Sequence, residues 1–179
     1  MHEKRFGDAV ERLRRPDRIA LLEIERVLDL ILHDVDAHTV LDAGTGSGIF
    51  AEAFARRGLE VTGVDPNREM LKSARRFVPA AAVVEAVVES IPFRDKSFDL
   101  VFLGHVLHEA DDLSKALAET KRCAIARVAA LEWPYVVEEN GPPINHRLKT
   151  EDVACTAKKA GFKQAHAQKL AHMTLFIFS

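Results

Sequence analysis

Three glycines and two carboxylates, at set spacing, are the residues of this chain most suited to hold a ligand. Gly44, Gly46 and Gly48 alternate just after the apolar run Thr39-Val40-Leu41, and Asp42 stands two residues before the first of them. A strand entering such a turn offers bare backbone, and glycine tolerates the positive φ that a tight turn needs. A helix starting at Ile49 would aim its free N–H groups at whatever fills the turn. A second β-prone run, Glu60-Val61-Thr62-Gly63-Val64, ends on Asp65. A carboxylate there can accept hydrogen bonds from both hydroxyls of a ribose. Proton-handling groups come later: His105, His108 and Glu109 follow the run Ser97 to Leu103, and Tyr135 and His146 follow Ala124 to Glu132.

A glycine turn with a distant acid serves many nucleotide-binding α/β folds, so spacing must choose among them. The dinucleotide pattern G-x-G-x-x-G would need a glycine where Ile49 stands. No Lys-Ser/Thr pair follows, which excludes a P-loop. The pattern Asp42-x-Gly44-x-Gly46-x-Gly48 resembles the first motif of class I S-adenosylmethionine (SAM) methyltransferases, the small-molecule type seen in ubiquinone and menaquinone biosynthesis. The resemblance covers roughly residues 39–102. It implies that Gly44, Thr45, Gly46 and Gly48 pack against the amino-acid part of SAM, with Asp42 near its ammonium group. Asp65 would hold the ribose, and Pro66, Asn67 and Met70 would flank ribose and adenine.

Glu89-Ser90-Ile91-Pro92-Phe93 and Ser97-Phe98-Asp99-Leu100-Val101 are similar to further family segments. The backbone at Val88 and Glu89 would read the adenine edge, and Gly104 would border the cofactor. Two departures stand out. Val87 occupies a position where relatives carry Asp, with Glu85 as a fallback acid, and residues 121–126 lack the family's Leu-x-Pro-Gly-Gly turn. His108, His105 and Tyr135 are the catalytic candidates implied at the carboxyl ends of strands, where open α/β sheets bind ligands. His105 and His108 beside Glu109, Asp111 and Asp112 invite a metal reading; the family has similar segments without metal, so none is expected.

These residues need a scaffold of alternating strands and helices. The expected fold is α/β: a Rossmann-like, doubly wound, seven-stranded sheet, mostly parallel with the last strand antiparallel, plus N-terminal helices. A helix is predicted from Pro16 to about His33, and residues 1–33 form a helical cap whose first fifteen residues, with Phe6, Val10 and Leu13 as an apolar face, are a candidate lid. Further helices are predicted over 49–57, after Asn67, from Leu113 to Arg122 with Asp111 or Asp112 as cap, and from a Thr150 cap to Ala160. Strands are predicted at 59–64, 80–84, 97–103 and 124–132, with an edge hairpin of 162–170 and 172–178. Residues 133–147 form the longest irregular segment. Trp133, Tyr135, His146 and Arg147 there suggest a substrate pocket.

The chain has 179 residues, 47% hydrophobic and 29% charged, with a net charge of −2. That suits one SAM-binding domain over 1–179 with a sizeable core. Arg12, Arg14, Arg15 and Arg18 cluster, but Glu11 and Asp17 interrupt them, so nucleic acid is not an expected partner. No apolar stretch is long enough to span a membrane. Cys123 and Cys155 stand apart without metal spacing, as in a cytoplasmic protein with free thiols. The leading expectation is methyl transfer from SAM to a small-molecule acceptor by in-line displacement, with a homodimer through exposed apolar faces as a further option. The alternatives are a nicotinamide-dependent oxidoreductase and a non-catalytic SAM-binding module.

Overall fold

The computed structural model describes residues 10–138 and 140–179. The first nine residues of the predicted lid therefore lie outside the described residues. Seven strands form one sheet: β1 (Thr39–Ala43), β2 (Glu60–Asp65), β3 (Ala82–Glu85), β4 (Phe98–Gly104), β5 (Ala124–Glu132), β6 (Ala165–Lys169) and β7 (Thr174–Phe178). Their spatial order is β3-β2-β1-β4-β5-β7-β6. The pairs from β3 through β5 are all parallel, and β7 runs antiparallel to both β5 and β6. The expected edge hairpin thus exists, but its second strand is inserted beside β5 and leaves β6 at the edge.

Among the described residues, α1 (Pro16–Leu21) and α2 (Ile24–Leu32) precede the sheet, and α3 (Ile49–Arg56), α4 (Arg68–Phe77), α5 (Leu113–Cys123) and α6 (Thr150–Lys159) link its strands. Alternation along the central strands explains the two-sided burial. Val40, Leu100 and Phe102 pack with α2 and α3 on one face of the sheet. Leu41, Val101 and Leu103 pack with α5 and α6 on the other. Apolar residues on both faces are what a parallel sheet covered by helices requires.

Caps place the helices that matter to the site. Asn67 accepts hydrogen bonds from the Glu69 and Met70 amides and starts α4 directly after Asp65. Asp112 accepts from the Lys115 amide and starts α5. Asp99 braces the base of β1, accepting from the His38 and Thr39 amides at 3.0 and 2.9 Å.

Two helix predictions need correction. The single helix from Pro16 to His33 is broken at Glu23, which has a left-handed φ of 46°. The break lets the Glu23 carboxylate accept from the Ala171 amide at 2.8 Å, tying the cap to the β6–β7 turn. Thr150 is not a cap: Lys149 holds that position, and no side chain caps α6.

Candidate active site

The sheet order reverses between β1 and β4, and a cleft of about 500 Å³ opens at their carboxyl ends. Crevices at such switch points are where open α/β sheets take ligands. Gly44 and Gly46 line the cleft from the β1 turn, Gly104 and His105 from the end of β4. The turn is anchored to β2, because the Gly44 and Thr45 amides both donate to the Val64 carbonyl, at 2.8 and 2.9 Å.

The expectation that all three glycines bare the backbone for a ligand is corrected by what surrounds each. A Cβ on Gly44, which lines the cleft, would overlap Val106, so that glycine also makes room for a neighbouring side chain. A Cβ on Gly48 would come 2.9 Å from Ala74 Cα; Gly48 lets α3 approach α4 and does not line the cleft. Gly46 alone faces open space, with no heavy atom within 4 Å of where its Cβ would lie.

Asp65, Pro66, Asn67 and Met70 line one end of the cleft. Asp65 accepts from the Gly46 amide at 2.9 Å and from the Asn67 amide at 2.8 Å, one on each oxygen. Each carboxylate oxygen keeps a free lone pair for a ligand hydroxyl. Ala86, Val87, Val88 and Glu89 form the adjoining wall. The Glu89 side chain turns away to accept from the Asp111 amide at 2.8 Å, which leaves its backbone at the wall. Glu85, the fallback acid, is committed to Arg68 at 2.5 Å.

At the other end a chamber of about 70 Å³ continues inward between α1 and the glycine turn. Asp42, Thr45 and Ser47 line it, all three buried. Asp42 accepts from Thr45 Oγ1 at 2.7 Å. Burial nevertheless dominates and raises the Asp42 pKa to about 7.

The three predicted catalytic residues are scattered. His105 is on the cleft wall, with a left-handed φ of 61°, its ring stacked on Trp133 and its Nε2 3.3 Å from Met173 Sδ. Burial first, then the charge of Arg18, pushes its pKa down to about 3, so its imidazole is neutral. His108 does not line the cleft; its Nδ1 lies 2.7 Å from Glu132 Oε2, and its Nε2 lies 3.9 Å from Glu109 Oε1. Burial opposes the charged His108 ring, but its hydrogen bond to Glu132 and that group's charge prevail and raise the pKa. Glu109 does line the cleft. Tyr135 lies apart, exposed beneath Lys149.

The expected pocket in residues 133–147 is not formed by the residues named for it. Trp133 is buried behind His105, and His146 is exposed on a single 3-10 turn, Ile144–His146. Arg147 is buried and donates to the carbonyls of Pro134, Val136, Asn140 and Pro142. Arg12, Leu13 and Arg18, by contrast, line the cleft without having been singled out as ligand contacts. The arginine cluster was visible, but nothing in its spacing says which members turn inward. Among the described residues no group of three or more His, Cys, Asp or Glu is placed to hold a metal ion.

Residues 41–127 match a family model described as a methyltransferase domain. A malonyl-[acyl-carrier protein] O-methyltransferase of Hamiltonella defensa is 32% identical over 67% of this chain and 51% of its own length. A demethylmenaquinone methyltransferase of Chlorobaculum tepidum is 37% identical over 46% of this chain and 35% of its own. The chain thus spans about half the length, or less, of these curated relatives. A crystal structure of a SAM-dependent methyltransferase from Aquifex aeolicus superposes with a TM-score of 0.86, covers 96% of both chains and shares 24% identity, which speaks for the fold. The oxidoreductase alternative gains no support from these relatives. Residues 41–127 thus carry a methyltransferase domain, and the chain's sheet order and glycine turn resemble those of class I S-adenosylmethionine-dependent methyltransferases.

Proposed function

We propose that residues 1–179 act as one SAM-binding unit that methylates a small-molecule acceptor. The observation that carries this reading is the two-ended cleft: Asp65 at one end, Asp42 at the other, and the bare face of Gly46 between them. A nucleoside with an amino-acid tail needs those three features in that order. When bound, the cofactor supplies a methyl carbon on a positively charged sulfur, already open to attack by a nucleophile. What remains for the protein is to orient that carbon, hold the acceptor in line and exclude water, which can be worth about 7–11 kcal/mol in well-oriented cases.

The residues divide accordingly. Asp65 holds the ribose, and Pro66, Asn67, Met70 and the backbone at Val88 and Glu89 enclose the base. Gly44, Gly46 and Gly104 flank the sulfur. His105, kept neutral and stacked on Trp133, forms a wall for the acceptor and has little basicity. An acceptor that enters protonated would lose its proton toward Glu109, whose carboxylate lies 3.9 Å from the His108 ring that pairs with Glu132.

Isothermal titration with S-adenosylhomocysteine tests the cofactor, and label transfer from SAM across a panel of small acceptors tests the reaction. Failure of S-adenosylhomocysteine to bind would overturn the reading. Binding without transfer to any class of acceptor would favour the non-catalytic module.

A further inference from the structure

His105 meets the cleft with one ring nitrogen already engaged. Its Nε2 lies 3.3 Å from Met173 Sδ. A thioether sulfur carries no hydrogen and can only accept, so Nε2 is the nitrogen that bears the proton. In a neutral imidazole the other nitrogen is then an acceptor and nothing else. Nδ1 has no hydrogen-bond partner among the described residues, and it is not one of their shielded, unpartnered polar atoms, so it reaches open space. The open space at His105 is the main cleft and the inner chamber, both of which it lines.

The ring is braced in that pose. It stacks on the buried Trp133, with 5.1 Å between centroids and 18° between planes, and Met173 behind it is buried as well. The His105 amide donates to the Leu131 carbonyl at 2.8 Å, and the residue takes a left-handed φ of 61°. A left-handed residue other than glycine persists where its surroundings enforce it, and such residues gather at ligand sites. Burial, then Arg18, then His108 disfavour a charged ring, which keeps Nδ1 an acceptor.

We propose that His105 Nδ1 orients the methyl acceptor by accepting a hydrogen bond from the atom to be methylated, which makes that atom an N–H or O–H centre. This rests on the methyl-transfer reading above and adds an acceptor class to it. The place agrees, because His105 follows Gly104, assigned above to the flank of the sulfur, and borders both cleft and chamber. With its hydrogen held by Nδ1, the acceptor atom keeps a lone pair free for in-line attack. Leu13, Val106 and Ala110 line the same cleft with apolar surface, beside which one directional contact counts for more than in water. His105 takes no proton in this role; that falls to Glu109. The cofactor's ammonium is the competing donor, and the Asp42 carboxyl in the chamber is its better partner.

Nitrogen NMR of the ring tests the geometry. With S-adenosylhomocysteine bound, the His105 proton should sit on Nε2, and Nδ1 should give the same shift when a deaminated analogue replaces that ligand. A proton on Nδ1, or an Nδ1 shift that follows the ligand's amino group, overturns the assignment. Label transfer from SAM is then read over a panel sorted by attacking atom: primary and secondary amines, alcohols and phenols against tertiary amines, thioethers, thiols and carbon acids. Transfer should be confined to N–H and O–H centres. For the best of them His105→Gly should lower kcat/KM about three- to tenfold, the worth of one neutral hydrogen bond, and His105→Asn should recover most of the loss. Both variants tolerate the left-handed backbone and both drop the ring, but only asparagine offers an acceptor oxygen in place of Nδ1. Met173→Leu lies behind the cleft lining. It should let the proton redistribute between the ring nitrogens and lower kcat/KM by a smaller factor, at unchanged affinity for S-adenosylhomocysteine. Transfer only to centres without N–H or O–H, or equal rates in His105→Asn and His105→Gly, overturns the assignment and leaves the methyl-transfer reading intact. No transfer to any class overturns both.

Discussion

The Gly46 amide donates to Asp65 Oδ2 at 2.9 Å, so the turn after β1 and the acid ending β2 form one unit. The acid that would grip a ribose is also the post that holds the glycine turn. Ligand affinity and local stability are therefore coupled through one side chain.

Asp65→Ala removes the ribose acceptor and leaves the Gly46 and Asn67 amides without their partner. S-adenosylhomocysteine should bind about ten- to hundredfold more weakly, and thermal unfolding should shift down as well. Asp65→Asn retains one carbonyl oxygen and should fall between. Unchanged affinity in Asp65→Ala, measured by calorimetry, would mean the ribose lies elsewhere.

Asp42 makes cofactor binding depend on pH. Burial raises its pKa to about 7, so near neutrality the carboxyl is partly protonated. A ligand ammonium beside it favours the ionised form. Affinity should then rise as pH climbs from 6 to about 8, with proton release on binding that appears as a buffer-dependent heat. The sign for stability is opposite. Because the folded pKa exceeds the unfolded value of about 4, the group's contribution is fully present below about pH 4 and is lost as pH rises through about 7. Asp42→Asn should flatten both dependences and weaken cofactor binding.

The pairing of His108 with Glu132 gives a second pH window. The His108 pKa is raised, so its contribution to stability is complete below its unfolded value of about 6.5 and is lost as pH rises through the folded one. Glu132→Gln should lower the His108 pKa, readable from its ring protons by NMR. For an acceptor that must lose a proton, the rate should rise with pH as His108 deprotonates, and Glu132→Gln should move that rise to lower pH. A rate profile that does not follow the His108 titration would remove His108 from the reaction.

The strands and turns legible in the sequence are those where local pattern and tertiary role coincide. β5 runs from Ala124 to Glu132 as expected, because its apolar run Val128 to Leu131 is also the part buried in mid-sheet. Asn67 and Asp112 announce their helices by capping chemistry alone. The break at Glu23 is hidden, since the partner its carboxylate meets there is the Ala171 amide, 148 positions away. The inward turn of Arg18 and the outward turn of Tyr135 are equally hidden: an arginine and a tyrosine each suit either place, and only the packing of α1 and of the loop decides.

Arg147 shows what the long loop after β5 needs. Its guanidinium is buried and donates to Pro134 and Val136 on one side of the loop and to Asn140 and Pro142 on the other, with Trp133 5.6 Å away. A segment with three prolines has few amides of its own to spend on internal bonding. One planar cation with five donors replaces them. Lysine offers a single point charge that cannot span four carbonyls, so Arg147→Lys should destabilise the protein nearly as much as Arg147→Met, by about 3 kcal/mol in either case. The loss should appear first as proteolytic cleavage within residues 134–146. Because Trp133 backs His105, the same variants should also loosen the cleft wall and weaken acceptor binding more than cofactor binding. Equal resistance to protease in wild type and Arg147→Met would show that the loop holds itself by other means.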